Sequence, residues 1–418
     1  MPERLAEDAR SLLQINRAIT AAGKARQTSH ALDLLASIAE ARLRPDVVSY
    51  NASVAVCERS TQWTQAVGLL DQMAAAGVLG NIITKNSALG TLKEVVPTTS
   101  GETWVTALSS LVALGCSRLR PDVISFNSTM SVAVRAAEWQ SAIGLFEDLG
   151  TDAVERSKIS YSTTISAYER LGRWLGALET WTKLGSARWE PDVISYNSSL
   201  SACEKAGRWH IALQLLGDMA AQAHEPDVIS CSSCISACAQ ASPWLLAMSL
   251  LSAMGAQLLP PNTITYNAAI GACEGQGQWL TALELLANML RAALASKVPT
   301  VVSFSSAISA CVRGGDWPVA LALLDEMPRR RLSPNVISYS GVISACEKGS
   351  QRTLALRFLG AMEEASVAGD VVSYSSAMSA CEELGRWQTA LHLWELMEAD
   401  GVTPNVVTLN TAISTCSK

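Results

Sequence analysis

Histidine is scarce in this chain, and its four copies, His30, His210, His224 and His392, stand without cysteine or carboxylate partners at ligand spacing. That removes the usual basis for a histidine-built metal centre or a general base. Nucleophile–base arrangements, glycine-rich phosphate loops and paired-carboxylate motifs are also missing, so the residues give no catalytic reading and call for no cofactor. No stretch approaches the roughly 18 consecutive apolar residues of a membrane span. The opening MPERLAEDAR carries acids and lacks an apolar core, so neither a secretory signal nor a transit peptide is legible there. Charge is thin, at 17% of residues against 49% hydrophobic, which excludes a disordered tail-like protein and predicts extensive burial. Nor is there an excess of positive charge: 32 basic and 38 acidic residues leave a net charge of −6, which argues against nucleic acid unless cations are gathered locally.

What is present is repetition. The stretch VISYNSSLSACEKAGRW from Val193 to Trp209 recurs in near copies, with starts at Leu12, Val47, Ile82, Val123, Lys158, Val193, Val228, Thr263, Val301, Val336, Val371 and Val406. Nine of the eleven complete intervals are 35 residues. The repeat from Ile82 is 41 long, with its excess around VVPTTSGET, and that from Thr263 is 38 long, with its excess near RAALASKVP. A fixed period of this size means stacked supersecondary units rather than separate globular domains. The division it gives is an extension over 1–11, eleven repeats over 12–405 and a partial twelfth over 406–418, which makes the chain look like a fragment or truncated array. Cysteine follows the same beat: Cys203, Cys238, Cys273, Cys311, Cys346, Cys381 and Cys416 read as a small apolar residue buried once per repeat in a reducing compartment. Cys231, Cys234 and Cys238 form C-x2-C-x3-C, but Cys238 belongs to the packing series and no fourth ligand is in sight, so no metal is expected.

Within the repeat from Val193, Tyr196, Leu200 and Cys203 are spaced i, i+4, i+7, and Trp209, Ala212, Leu213, Leu216 and Met219 continue a second helical stripe. Ser195 fits the N-cap of the first helix, Gly207 interrupts between the two, and Pro226 halts the second. Each repeat is therefore an antiparallel helix pair that cannot bury its apolar face alone, and neighbouring pairs must stack. Trp63, Trp139, Trp174, Trp209, Trp244, Trp279, Trp317 and Trp387 read as packing knobs between repeats, and the alanines three residues later as helix-crossing points.

The recurring V-[IV]-[ST]-Y-[NS] at each start, Ala-Leu in the second helix, Met eight residues before the end and a closing Pro-Asp or Pro-Asn resemble pentatricopeptide repeats of the 35-residue type, over about 12–418. Tetratricopeptide arrays share the architecture but have a 34-residue period and bind peptides. The resemblance implies an all-α fold, a right-handed superhelical α-solenoid of stacked antiparallel helix pairs. It also implies a single-stranded RNA binder that reads about one base per repeat, without enzymatic activity, residing in chloroplast or mitochondrion.

The second residue of each repeat is a branched aliphatic: Val48, Ile124, Ile159, Ile194, Ile229, Ile264, Val302, Ile337 and Val372, with Leu13, Ile83 and Val407 alike. From the residues alone this is either core or, as the resemblance implies, a clamp on which bases stack. Base choice is assigned to the fifth and last residues of each repeat. These are Asn16 with Asp46, Asn51 with Asn81, Asn86 with Asp122, Asn127 with Ser157, Ser162 with Asp192, and Asn197 with Asp227. They continue as Ser232 with Asn262, Asn267 with Thr300, Ser305 with Asn335, Ser340 with Asp370, and Ser375 with Asn405. Ionised Asp only accepts and so suits the ring N–H of U or G, whereas Asn can donate to the ring nitrogen of A or C. Small Ser at the fifth position leaves room for a purine, and Asn favours a pyrimidine. With the protein N-terminus toward the RNA 5′ end, the reading is U, C, U, C, G, U, A, pyrimidine, A, G, A. The bland alternative for the fifth residue is ordinary helix-start hydrogen bonding.

Lys24, Arg59, Arg135, Arg170, Lys205, Arg313, Lys348 and Lys418 recur near the end of the first helix, a basic stripe able to follow phosphates, broken at Gln240, Gly275 and Glu383. Glutamates directly before several of them leave open a solvated mixed-charge face. A peptide-binding scaffold in the same groove, a protein partner, or an array that targets a larger RNA-processing enzyme are the competing functions.

Overall fold

The computed structural model describes residues 2–25, 27–40, 43, 45–60, 62–78, 80–93, 102–116, 120–151, 155–187, 189–241, 243–256, 259–291 and 298–417. All 23 elements among them are helices. The bulk of both predicted insertions, at 94–101 and 292–297, lies outside the described residues, as does Lys418. Contacts divide the chain into an N-terminal half, Met1–Ala202, and a C-terminal half, Cys203–Lys418.

The N-terminal half holds α1 Pro2–Lys24, α2 Thr28–Glu40, α3 Val47–Ser60, α4 Trp63–Ala75, α5 Ile82–Lys93, α6 Glu102–Cys116, α7 Val123–Arg135, α8 Trp139–Thr151, α9 Lys158–Arg170, α10 Trp174–Ser186 and most of α11 Val193–Lys205. The C-terminal half continues with α12 Trp209–Ala221, α13 Val228–Ala241, α14 Trp244–Ala256, α15 Thr263–Gly275, α16 Trp279–Arg291, α17 Val301–Gly314, α18 Trp317–Arg329, α19 Val336–Lys348, α20 Arg352–Glu364, α21 Val371–Leu384, α22 Trp387–Ala399 and α23 Val406–Ser417. Within each half, α11 apart, the odd-numbered helices pack side by side in a row, and the even-numbered helices pack on the odd helices before and after them. The helix-pair repeat is thus the fold, with an odd row and an even row in each half.

The cap residue differs from the sequence expectation. Ser195 is the third residue of α11, and the cap acceptor is Asp192, whose Oδ1 takes the Ser195 N–H at 2.9 Å. The reason is reach: a short carboxylate placed before the first turn meets the free amide two to three residues on, which a side chain already inside the helix cannot do. The break after α11 is as expected, with Gly207 at φ +63° and the Arg208 amide returning to the Cys203 carbonyl at 2.9 Å.

The periodic alanines Ala66, Ala142, Ala177, Ala212, Ala247, Ala282, Ala320, Ala355 and Ala390 are all fully buried where helices cross. In α12 the buried line is Ala212, Leu215 and Met219, while Leu213 and Leu216 are only half-buried. Trp279 and Trp317 wedge between repeats: a Cβ on Gly314 would meet the Trp279 ring at 2.2 Å, and one on Gly349 would meet the Trp317 ring at the same distance, whereas Trp387 departs from the expected series and is 49% exposed. Cysteines 203, 238, 273, 311, 346 and 381 are fully buried. Cys416 departs from the series and is exposed, because no further helix covers that face of α23 among the described residues. Among the described residues no helix is long and apolar enough to cross a membrane.

Candidate nucleic-acid interface

The question left open for the second residues is settled by exposure. Leu13, Val48, Ile83, Ile124, Ile159, Ile194, Ile229, Ile264, Val302, Ile337, Val372 and Val407 are all between 51% and 66% exposed, whereas the residue before each is half-buried, Val406 in the last helix apart. They are not core. An aliphatic side chain held in water at the same point of every odd helix gains nothing for folding, so it needs another reason.

The last residue of each repeat starts the next odd helix. Asp46, Asn81, Asp122, Asp192, Asp227, Asn262, Asn335, Asp370 and Asn405 each use Oδ1 to accept the backbone N–H of the third residue of that helix, at 2.7–3.0 Å. Cap geometry therefore fixes which atom points inward. The second atom on the same carbon, Oδ2 in Asp or Nδ2 in Asn, lies off the cap, an acceptor in Asp and a donor in Asn; in Asp122 it also accepts from the Asn86 amide at 3.2 Å. Ser157 spends its single hydroxyl on the cap, lying 3.3 Å from the Ser160 amide. Thr300 engages Ser303.

The fifth residue meets the same cap from the neighbouring odd helix. The amide Nδ2 of Asn16, Asn51, Asn86, Asn127 and Asn267 donates to the side chain of the last residue of its own repeat, at 2.9–3.5 Å. Its Oδ1 accepts the hydroxyl of the third residue beyond: Ser49 at 2.7 Å, Thr84 at 2.5 Å, Ser125 at 2.6 Å, Ser160 at 2.7 Å and Ser303 at 2.5 Å. Five of the sequence-assigned pairs are therefore in direct contact. Where the fifth residue is Ser, the hydroxyl of Ser162, Ser232, Ser305, Ser340 and Ser375 turns back onto a carbonyl of its own helix at 2.7–3.3 Å. Asn197 is half-buried on α11 in the N-terminal half, and Asp227 caps α13 in the C-terminal half. The residues that sequence reasoning missed are the third ones, Ser49, Thr84, Ser125, Ser160, Ser195, Ser230, Thr265, Ser303, Ser338, Ser373 and Thr408, all fully buried beneath the pair. Their signal was Ser or Thr at that phase in every repeat but the first, which has Gln14.

In the first repeat these groups share one concavity of about 620 Å³, lined by Leu13, Asn16, Lys24, Asp46 and Val48 among others. Burial pushes the carboxyls of Asp46 and Asp122 up, but bonds from Ser49 and Asn16, or from Ser125 and Asn86, outweigh it and leave both below the ordinary value.

Cations Lys24, Arg59, Arg135, Arg170, Lys205, Arg313 and Lys348 are exposed. Eleven residues separate the second position from the thirteenth, about three helical turns, which puts aliphatic and cation on one stripe. The Arg135 guanidinium donates to the Lys93 carbonyl, and that of Arg313 to the Gly275 carbonyl at 3.1 Å, each closing the end of the preceding odd helix. Some glutamates of the phase before the stripe are tied into the stack rather than solvated. Glu169 accepts from Ser201 at 3.1 Å and Glu382 from Ser414 at 2.5 Å, tying adjacent odd helices together. Burial raises the carboxyls of Glu58 and Glu274 above the ordinary range, partly countered by Ser87 and Arg59 for the first and by Arg313 for the second. Cys231, Cys234 and Cys238 are buried, and burial raises their thiols, that of Cys238 to about 11; Cys234 donates to the Ala212 carbonyl at 3.6 Å. They pack as apolar groups.

A tandem α-helical array that presents one exposed aliphatic and one capped polar pair per repeat is a modular binding protein. Profiles described as "PPR repeat family" match residues 191–240, 299–348 and 354–418, and those of "PPR repeat" match 159–187 and 264–293, together over half of the chain. The chain belongs to the pentatricopeptide repeat family. No curated protein matches it. It is similar to the crystal structure of the pentatricopeptide repeat protein PPR10 from maize, with a TM-score of 0.54 and 20% identity over 97% of this chain. That likeness shows the fold, and the chain spans 61% of the maize protein's length. It is also matched, at a TM-score of 0.41 and 20% identity, to PPR10 in complex with an 18-nt psaJ RNA element, over 96% of this chain and 56% of that one. A third match, at 0.38 and 13% identity, is the PPR domain of Arabidopsis thaliana protein-only RNase P 1 in complex with tRNA, covering 42% of this chain and 89% of that one.

Proposed function

We propose that the chain is a sequence-selective single-stranded RNA binder that contacts about one nucleotide per repeat along the odd-helix row of each half. The observation that carries this is the exposed aliphatic at the second position of every repeat, beside a cap side chain whose outward atom is set by Asp or Asn. Aliphatic side chains between successive bases supply sequence-tolerant stacking, and the outward cap atom meets the ring nitrogen of the base. In this reading the N-terminal half reads U, C, U, C, G and the C-terminal half reads A, pyrimidine, A, G, A. Repeats closed by Ser157 and Thr300 read weakly, since a single hydroxyl already engaged in the helix start has no second polar atom to offer. Arg59, Arg170, Lys24, Lys205 and Lys348 supply the phosphate contacts on an otherwise acidic protein. The chain acts by occupying its RNA, with no chemistry of its own, in chloroplast or mitochondrion, where it shields or remodels a transcript.

Selection of bound RNA from a random pool tests this at fixed salt. Enrichment of single-stranded ligands carrying these letters is expected, and capture of a peptide mixture in preference to every RNA overturns the reading.

A further inference from the structure

First positions of the repeats are uncharged with one exception: where Leu12, Val47, Ile82, Val123, Val193, Val228, Thr263, Val301, Val336, Val371 and Val406 stand, the fifth repeat has Lys158. Its ammonium lies 3.8 Å from Oδ2 of Asp192, the last residue of the same repeat. Oδ1 of that carboxylate is already taken by the Ser195 amide at 2.9 Å and the Ser195 hydroxyl at 2.6 Å. Ser162, the fifth residue, is turned onto the Ile159 carbonyl at 3.1 Å. The outward part of this reading pair is therefore an acceptor with a cationic donor beside it, each about one third exposed, at 35% and 36%. The direction is a property of the stack: in the eighth repeat the first residue, Thr263, also points along it, donating to the Val298 carbonyl at 3.3 Å.

We infer that Lys158 is a specificity-determining residue that makes the fifth repeat select a keto base, guanine in the presence of Ser162, more sharply than the Asp alone. The inference rests on the proposed reading in which the last residue meets the ring nitrogen. A ring N–H beside a keto oxygen complements a carboxylate beside an ammonium, with N1–H donating to Asp192 and O6 accepting from Lys158. Adenine at that point sets its ring lone pair against the carboxylate and its amino group against the ammonium, two like-with-like contacts. The tenth repeat is an internal control, since Ser340 and Asp370 repeat the same pair with Val336 in the first position.

The test uses the full chain and the eleven-nucleotide RNA UCUCGUAUAGA, with G or A at nucleotide five and, separately, at nucleotide ten, read by fluorescence anisotropy. The wild type is expected to prefer G over A about tenfold more strongly at nucleotide five than at ten, the scale of one charge-assisted hydrogen bond at a partly exposed site. Lys158→Val, which installs the residue that most equivalents carry, is expected to bring nucleotide five down to the level of ten and leave the other positions alone. Val336→Lys is expected to raise the preference at ten. A Lys158→Val protein with an unchanged ratio at five, or one weakened equally on every RNA, overturns the inference and makes Lys158 a bystander or a phosphate contact. Loss of G preference at ten in the wild type is the separate signature that the underlying reading fails, and it overturns both.

Discussion

Asp370→Asn separates helix capping from base choice at a single carbon. Asp370 Oδ1 accepts the Ser373 N–H at 2.8 Å, and Ser340, the partner residue, bonds its own helix rather than the cap. Asn keeps the inward oxygen, so α21 is expected to lose less than about 0.5 kcal/mol, since Asn and Asp cap comparably, whereas Asp370→Ala should cost about 1 kcal/mol. The outward atom changes from acceptor to donor. Against G, an N–H then faces an N–H, and the penalty for a desolvated like-with-like contact is about 1–3 kcal/mol. Each 1.4 kcal/mol being about tenfold, the preference at nucleotide ten should turn from roughly tenfold for G to roughly tenfold for A. The assay is anisotropy on the G and A forms of the eleven-nucleotide RNA at one salt concentration, with thermal unfolding followed in parallel by circular dichroism. A well-folded Asp370→Asn protein that still prefers G refutes the base-reading argument. One that melts as early as Asp370→Ala refutes the claim that the cap orients the amide.

Three further outcomes follow from other features. Arg135→Ala and Arg313→Ala should each lower stability by about 1 kcal/mol with little change in RNA affinity, because their guanidinium groups close helix ends; Arg59→Ala and Lys348→Ala should leave unfolding alone and flatten the salt dependence by about 0.7 per residue on a log–log plot. Gly349→Ala should destabilise by about 1–3 kcal/mol, since the new methyl falls 2.2 Å from the Trp317 ring, and Trp317→Leu in the same chain should restore part of the loss. The acidic groups divide by sign. Asp46 and Asp122, lowered in the fold, contribute stability that is present above the ordinary value of 3.8 and lost as pH falls through their folded values. Glu58 and Glu274, raised above 4.5, favour the protonated fold, so acidification through their raised values removes negative charge beside Arg59 and Arg313. RNA binding should tighten as pH falls through the raised values of these two groups, and Glu58→Gln should flatten part of that rise when affinity is titrated against pH.

The period gave away the architecture because a 35-residue beat with helical spacing leaves few alternatives, and the alanine and cysteine phases fell inside as expected, Cys416 apart. The fifth and last residues were legible as a phase, yet their mutual contact was not, since 30 residues of chain separate Asn127 from Ser157 and only stacking brings them to 2.9 Å. The cap was misplaced from Asp192 to Ser195 because both residue types start helices, and spacing alone does not say which side chain lies ahead of the first turn. The basic stripe was legible as recurrence, but the two arginines that close neighbouring helix ends look the same in sequence as those that do not. Aliphatic second residues were ambiguous for the same reason: periodicity marks a face without saying what lies against it.

Asp and Asn begin a helix almost interchangeably, so on the proposed reading a point change at a repeat's final residue would re-spell one nucleotide of the target while the scaffold hardly notices. A lineage built from such modules would then drift among messages along a ridge of near-constant folding energy, one letter per step. Repeats closed by Ser157 or Thr300 would sit off that ridge: they still start a helix, but on the proposed reading they are nearly silent.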